Sequence, residues 1–360
     1  MVFDKNQTAF PSPLHEAIWD CGIHILPVEV ALPREVADGL PPGLAESCKQ
    51  LRDFMLRLLG DMYENTDAYL PISDTRRLGI QYRFFRLLMD YALLGEAGED
   101  GLAVNGAVFN RFKQNNGYGS ENDEGVTFRD RLKMMERAGL KTENRNSDVV
   151  FTNALYPGMF PALRAMAQVP SALKEKASGD NSFMYCDFRK LCPSYKYDKL
   201  ENALVFLSGE QRQVALALDK IAKKPGLTRS IPNGICGAYG IFYKRKKFPV
   251  MLVGCGGAQI SLGFRIPYDR ANMAPLEGFF WALEKESPEL RKYFSRRIHR
   301  CRGCKGEGSN ACAVPVNICG SPNRLCEHWF AALLWGTEER ITMEELPYID
   351  QILDAILACI

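Results

Sequence analysis

The chain has 360 residues, of which 46% are hydrophobic and 24% charged, with a formal net charge of +2. This is the composition of an ordinary folded protein, and so small a charge excludes a global attraction to nucleic acid or to an anionic membrane. No apolar run approaches the roughly 18 residues of a membrane-spanning helix, and the N-terminus lacks the pattern of a signal peptide. We therefore expect a cytoplasmic protein with no membrane partner, built from two domains and a small appendage.

The N-terminal part is predicted to be mainly helical. Six prolines within residues 1–45 favour an extended arm over regular structure. Apolar residues at helical spacing then predict helices over 45–62 and 76–94, and the glycine-rich segment 95–101 interrupts this pattern. We assign residues 46–178 to one helical domain.

The segment 104–153 has a distinctive order of elements. Helical spacing predicts one helix over about 104–114 and a second from Thr127 to Gly139, and the polar run that follows suits a β-hairpin tip. Helix, helix, glycine stop and hairpin together resemble a winged-helix module. The resemblance implies contact with DNA phosphates through exposed cations of the second helix and the hairpin tip, which are Arg129, Lys133, Arg137 and Arg145.

Two other interpretations of this segment stay open. Winged-helix modules also serve as protein-contact modules, and a helix followed by a hairpin is common in α+β proteins. Four acidic residues also dilute the positive face, namely Asp123, Glu124, Asp130 and Glu136. The partner is therefore DNA in one interpretation and a protein in the other.

Residues 199–298 are predicted to form an α+β domain. A helical segment comes first, and three β-rich runs separated by short turns follow it, over 237–244, 249–255 and 258–266. Consecutive strands with short connections imply an antiparallel sheet, which two later helices would cover. The predicted fold class is therefore α+β.

Aromatic and basic residues around this sheet suggest a ligand pocket. A cup lined by aromatic rings and an arginine suits a small anionic or planar molecule. The candidate residues are Tyr185, Arg189, Tyr239, Tyr243 and Arg265. The alternative is that these residues lie at the sheet edge and the rim of the core.

A cysteine cluster dominates the last segment, residues 299–360. Cys301 and Cys304 form a CxxC pair, and further cysteines follow in loops rich in Gly, Ser, Asn and Pro. Because such loops offer little apolar surface to fold around, a structural zinc ion is the expected source of order. The predicted ligands are Cys301, Cys304, Cys312 and Cys326, with Cys319 as a substitute for Cys326.

Other interpretations of the cluster stay open as well. The thiolates could bind an iron–sulfur cluster or remain free, and His299 or His328 could replace a cysteine ligand. The basic segment 291–305 interleaves cations with Tyr293 and Phe294, which would suit RNA. Its cations could equally serve as a solvated helix face and as counter-charge for the thiolates.

No sequence motif assigns a catalytic residue. Neither GxSxG, nor HExxH, nor an EF-hand pattern is present. The leading hypothesis is a non-enzymatic regulatory or binding protein with a structural zinc, a DNA- or protein-binding N-terminal domain and a ligand-sensing α+β domain. The alternatives are an enzyme with a pocket on the central sheet, and an RNA-associated protein that uses segment 291–305.

Overall fold

The structure is a computed structural model that describes most, but not all, of the chain. The described residues are 3–4, 7, 9–66, 80–98, 101–115, 132, 135–172, 185–196, 198–231, 240–255, 260–267, 273–298, 313–318, 321–326 and 340–360. The chain divides into two units. Unit 1 comprises Met1–Lys196 with residues 235–237, and unit 2 comprises Tyr197–Gly234 with Ala238–Ile360.

Unit 1 combines helices with one sheet. Its elements in chain order are α1 (Pro13–His24), α2 (Val28–Ala31), α3 (Arg34–Ala37), α4 (Leu44–Glu64), α5 (Ile80–Leu94), β1 (Glu96–Gly98), β2 (Gly101–Asn105), α6 (Gly106–Asn115), β3 (Leu140–Arg145), β4 (Asp148–Asn153) and α7 (Phe160–Ala172). Short 3-10 turns cover Pro157–Met159 and Phe188–Leu191.

The predicted extended arm over residues 1–45 differs from the structure, which has three helices there. Ser12 caps α1 by accepting a hydrogen bond from the His15 backbone N–H, and Pro13 occupies the first turn. Pro27 and Pro33 directly precede α2 and α3. Proline fits these positions because the first helical N–H groups need no intrahelical partner, so these prolines start helices here rather than prevent them.

Helix α4 is the central helix of unit 1. Its apolar stripe is buried, with Leu51, Phe54 and Leu58 all at most 1% exposed. Two polar residues of α4 bind the backbone at the start of α7: Ser47 Oγ accepts from Ala162 N at 2.8 Å, and Gln50 Oε1 accepts from Gly158 N at 2.8 Å. These bonds satisfy N–H groups that a helix start leaves unpaired, which fixes the position of α7 on α4.

The sheet of unit 1 has four antiparallel strands in the order β1–β2–β4–β3. Its buried side packs aromatic rings, since the Tyr91 ring of α5 stacks on Phe151 of β4 at 4.7 Å between centroids. Residues 104–105 belong to β2, so the helix predicted from residue 104 begins two residues later. Gly101 allows β2 to begin, because a Cβ there would lie 2.1 Å from the Phe151 carbonyl oxygen.

Unit 2 contains the second four-stranded sheet and a separate hairpin. Its elements are α8 (Leu200–Ala203), α9 (Gly209–Ile221), β5 (Leu227–Ser230), β6 (Gly240–Arg245), β7 (Phe248–Gly254), β8 (Ser261–Phe264), α10 (Ala274–Glu284), α11 (Pro288–Arg297), β9 (Ala313–Ile318), β10 (Ser321–Cys326) and α12 (Leu346–Ala358). The sheet order β5–β6–β7–β8 is antiparallel throughout.

One apolar core joins the elements of unit 2. It includes Ile241 and Val253 of the sheet, Leu218 of α9, Phe279 of α10 and Ile352 of α12, all fully buried. The C-terminal helix therefore packs into the core of the α+β unit. Mixed helices and antiparallel sheets confirm the predicted α+β class in its broad form.

The cysteine-rich segment is more ordered than its composition predicts. Residues 313–318 and 321–326 pair as a β-hairpin, and Ile318 and Leu325 are buried in the core of unit 2. The prediction of loops without apolar content was therefore wrong for this part. Alternating apolar residues in AVPVNI, from Ala313 to Ile318, are the sequence signal of this strand.

Candidate functional site

One of the predicted zinc ligands belongs to the hairpin of β9 and β10. Cys326 is the last residue of β10, and its cross-strand partner is Ala313, the first residue of β9. Cys301, Cys304, Cys312 and Cys319 lie outside the described residues. Among the residues that the structure describes, no three histidine, cysteine or acidic side chains form a group that could hold a metal ion.

In the described part of the basic segment 291–305, two arginines bind Glu345, the residue directly before α12. Glu345 accepts from Arg297 at 2.5 Å and from Arg296 at 3.4 Å, and its second oxygen accepts from the Thr342 backbone N–H. Tyr293 is 6% exposed and Phe294 is fully buried. The two rings belong to the core, so they offer no surface for stacking RNA bases, contrary to that interpretation of the sequence.

The five predicted pocket residues do not form one described set. Tyr185 and Arg189 belong to unit 1, Tyr243 and Arg265 belong to unit 2, and Tyr239 lies outside the described residues. Burial lowers the pKa of Arg265, whose backbone N–H donates to Val250 O at 2.8 Å. Each described member is thus engaged within its own unit.

Arg189 forms a buried ion pair in unit 1. Its Nε donates to Asp187 Oδ1 at 2.6 Å and its Nη2 to Asp187 Oδ2 at 2.9 Å, and both side chains are 0% exposed. Planar two-point pairing satisfies both charges where water cannot reach them. The Arg189 guanidinium therefore stabilises the interior of unit 1 and does not serve as a ligand-binding group.

Tyr243 belongs to a hydrogen-bonded group centred on Asp219. The Asp219 carboxylate, 3% exposed, accepts from Tyr243 Oη at 2.8 Å, from Arg229 Nη1 at 3.1 Å and from Lys223 Nζ at 3.1 Å. Burial alone would raise the pKa of Asp219, but these hydrogen bonds outweigh it and hold the pKa below its ordinary value. Burial, followed by the neighbouring carboxylate, raises the pKa of Tyr243.

The predicted DNA-contact residues are only partly described. Arg129 and Lys133 lie outside the described residues. Arg137 Nε donates to Asp61 of α4 at 3.0 Å, and Arg145 binds Glu143 on its own strand at 2.9 Å. Both arginines remain partly exposed, at 42% and 47% of the side chain.

Unit 1 has a cleft that the sequence does not indicate. Its volume is about 390 Å³, and one wall is the polar face of α4; the lining includes Asp53, Arg57, Asp61, Glu64, Arg137 and Tyr156. Polar residues spaced by three and four positions along α4 are the only signal, and they equally predict a solvated helix face. Because three carboxylates and two guanidinium groups line it, the cleft favours neither an anionic nor a cationic ligand.

Comparisons with protein-family models, with curated proteins and with solved structures find no match to this chain. No helix among the described residues is long and apolar enough to cross a membrane. The function is therefore inferred from the residues of this chain alone.

Proposed function

We propose that the chain is a regulatory or binding protein whose unit 1 carries a winged-helix-like module that contacts duplex DNA. The observation that supports this proposal is the strand order β2–β4–β3, with α6 and the helical residues 135–137 lying between β2 and β3 in sequence. Strand β2 precedes the helices in sequence and pairs with β4, the second strand of the hairpin. This closes a small sheet beside them, as the resemblance requires.

The turn geometry of the module also supports the proposal. Gly139 has φ +92° and ends the helix, because this left-handed conformation strains any residue with a Cβ. The hairpin β3–β4 then projects a two-residue turn, Asn146 and Ser147, between Arg145 and Asp148. Arg145 thus lies beside the exposed tip, where a wing would meet the DNA backbone.

The ion pair between Arg137 and Asp61 limits which of the predicted cations can contact DNA phosphates. Because Arg137 is bound to Asp61 of α4, we assign phosphate contact to Arg129, to Lys133 and to Arg145, whose own ion pair with Glu143 is exposed on the hairpin. Each phosphate contact contributes about one unit to the slope of log affinity against log salt. Three contacts predict weak, strongly salt-dependent binding unless base contacts add to it.

The test is duplex DNA binding by the full chain, followed by fluorescence anisotropy at several salt concentrations. We expect Arg129→Glu with Lys133→Glu to weaken binding and to reduce the salt slope by about 2. The matched control is Arg34→Glu with Lys49→Glu, which makes the same charge change at exposed positions of α3 and α4. Equal loss in both pairs, or no duplex binding at low salt, contradicts the proposal.

We further propose that one structural zinc binds Cys301, Cys304, Cys312 and Cys326. The register of the hairpin supports the choice of Cys326. Its Cα lies about 5 Å from that of Ala313, and the chain links Ala313 to Cys312, so the two cysteine Cα atoms can be no more than about 9 Å apart. Thiolates 2.3 Å from one zinc ion can span this separation.

Cys319 fits this set less well for the same reason. It follows Ile318, at the opposite end of a six-residue strand that extends about 17 Å from Ala313. One further residue brings Cys319 back by at most about 4 Å. Cys312 and Cys319 could approach to about 9 Å only if the chain turned back at both ends of this strand, whereas Cys312 and Cys326 follow from the strand pairing directly.

Metal analysis of the purified chain tests the zinc proposal. We expect about one zinc per chain, retained in Cys319→Ser and lost in Cys326→Ser. Hydrogen exchange at the backbone amides of β9 and β10 is expected to accelerate only in Cys326→Ser. Full zinc content in Cys326→Ser, or iron in place of zinc, contradicts this ligand set.

A further inference from the structure

A second basic surface lies on unit 2, on the side of its sheet that faces away from the core. Cross-strand partners of an antiparallel sheet share a face. Phe242 pairs with Ser230 on one side and with Leu252 on the other, and Lys244 pairs with Thr228. The neighbouring residues Ile241, Tyr243 and Val253 point to the opposite face and are fully buried or nearly so.

The aromatic ring on this outer face is accompanied by a positioned cation. Phe242 is half-buried and does not belong to the apolar core of the unit. Lys244 Nζ lies 5.8 Å from the centroid of the Phe242 ring and donates to Ser230 Oγ at 3.1 Å. A flat aromatic surface and an ammonium group are therefore held side by side on the sheet face opposite the core.

The hairpin tip next to this face adds two exposed cations. Lys246 and Lys247 form the two-residue turn between Arg245 and Phe248, and both are exposed. Arg245 turns away from them and donates to Leu357 O at 2.7 Å. None of the ion pairs between described residues involves Lys246 or Lys247.

The backbone of the tip shows that lysine is not the best turn former there. Lys246 has φ +56°, a left-handed conformation that favours glycine and asparagine and strains other side chains. A turn selected for stability alone would carry one of those residues. Because the strained residue is an exposed lysine, the tip is a candidate for a role beyond closing the turn.

We propose that this surface, formed by Phe242, Lys244, Lys246 and Lys247, binds single-stranded nucleic acid. Unpaired bases can stack on a partly exposed aromatic ring such as that of Phe242, whereas the bases of a duplex are already stacked and paired. The lysines at the tip and beside the ring bind the phosphates on either side of the stacked base. This interaction is separate from duplex binding by unit 1, so either can fail while the other stands.

The test uses the full chain and a fluorescently labelled 12-nucleotide oligouridine, with affinity measured by anisotropy at two salt concentrations. We expect Phe242→Leu to weaken binding about 5-fold or more, and Phe242→Tyr to retain it, because a tyrosine ring still stacks. Lys246→Glu with Lys247→Glu is expected to weaken binding at least about 10-fold and to reduce the salt slope by about 1.4. The matched control is Lys220→Glu with Lys285→Glu, at exposed positions of the same unit.

A second variant separates the binding role from a structural one. Lys246→Asn relieves the turn, so we expect the melting temperature to rise by about 2 °C while the affinity for oligouridine falls about 3-fold. The proposal is overturned if oligouridine does not bind at 50 mM salt, or if duplex RNA binds equally well and Phe242→Leu has no effect. It is also overturned if the control pair weakens binding as much as the variants at the tip.

Discussion

The hairpins β3–β4 of unit 1 and β6–β7 of unit 2 have the same construction and different tips. Both close with two residues, and the first of these has nearly the same φ, +55° at Asn146 and +56° at Lys246. Asparagine tolerates this conformation, whereas lysine does not favour it. The same backbone is thus occupied once by the residue that suits it and once by a residue that adds charge.

The two units also differ in the groups that surround a buried carboxylate. In unit 1, Asp187 and Arg189 form a pair from which solvent is fully excluded. In unit 2, Asp219 is buried but accepts from Tyr243 inside the core and from the partly exposed Arg229 and Lys223. Unit 1 sets the carboxylate against a guanidinium that is itself fully buried, while unit 2 sets it against a buried tyrosine hydroxyl and two partly exposed cations.

The largest expected effect is in the buried pair of unit 1. Asp187→Asn removes the carboxylate that pairs with the buried Arg189 guanidinium, so we expect unfolding in urea to show a loss of about 3–5 kcal/mol. Replacing both residues together by leucine is expected to recover most of this loss, because no buried charge then remains. A loss below about 1 kcal/mol in the single variant would show that the pair is hydrated in solution.

A smaller effect is expected at the corresponding site of unit 2. Tyr243→Phe removes one of three donors to Asp219, and we expect a loss of about 1–2 kcal/mol in the same urea titration. The two remaining donors keep the carboxylate ionised, which is why the loss is smaller than in unit 1. A loss of unfolding free energy as large as that in Asp187→Asn would contradict the view that the remaining donors compensate in unit 2.

The pH dependence of unit 2 follows from the lowered pKa of Asp219. The folded pKa lies below the unfolded one, so the stabilisation is complete above the unfolded value, about 3.9, and is lost as the pH falls through the folded value. We expect the stability difference between wild type and Asp219→Asn to be constant from pH 5 to 7 and to shrink below about pH 4. A difference that does not shrink at all between pH 4 and pH 2.5 contradicts this assignment.

Exchanging the turn residues tests the comparison of the hairpins directly. We expect Asn146→Lys to lower the stability of unit 1 by about 0.5–1 kcal/mol, and Lys246→Asn to raise that of unit 2 by a similar amount. Hydrogen exchange at the strand amides reports each hairpin separately. Changes of the same sign in both variants would mean that backbone preference does not govern these turns.

The smallest effect is expected at the tip of β3. Arg145 and Glu143 form an exposed pair on one strand, and pairs of this kind contribute about 0–1 kcal/mol. Arg145→Ala should therefore change the unfolding free energy by less than about 0.5 kcal/mol, while duplex DNA binding weakens. A large stability loss would instead make Arg145 a structural residue.

The sequence predicts those elements that form from local contacts. Apolar spacing of 3.6 residues places α4 and α5 to within a few residues, and the polar run between residues 143 and 148 correctly marks the β3–β4 turn. The sequence misses β1 and β5, since β1 is only three residues long within the glycine-rich segment 95–101 and β5 is only four residues long with an irregular burial pattern. It also misreads the prolines of residues 1–45, because proline opens a helix as readily as it interrupts one.

The candidate residues divide in the same way. The sequence indicates which residue types could bind a metal, a phosphate or a ring, and the CxxC spacing alone suffices to propose a metal site at Cys301 and Cys304. Which of these side chains are available is decided by contacts between distant residues. Arg137 is bound by Asp61, 76 residues earlier in the chain, and Arg297 by Glu345, 48 residues later.

The sequence by itself therefore determined the α+β class, most helices and the central antiparallel sheet, because these follow from the local period of apolar residues. Only the tertiary structure decided that Arg189 and Tyr243 are internal and that Tyr293 and Phe294 belong to the core. The physical reason is that burial and ion pairing depend on which distant segments pack together, and no local pattern carries that information.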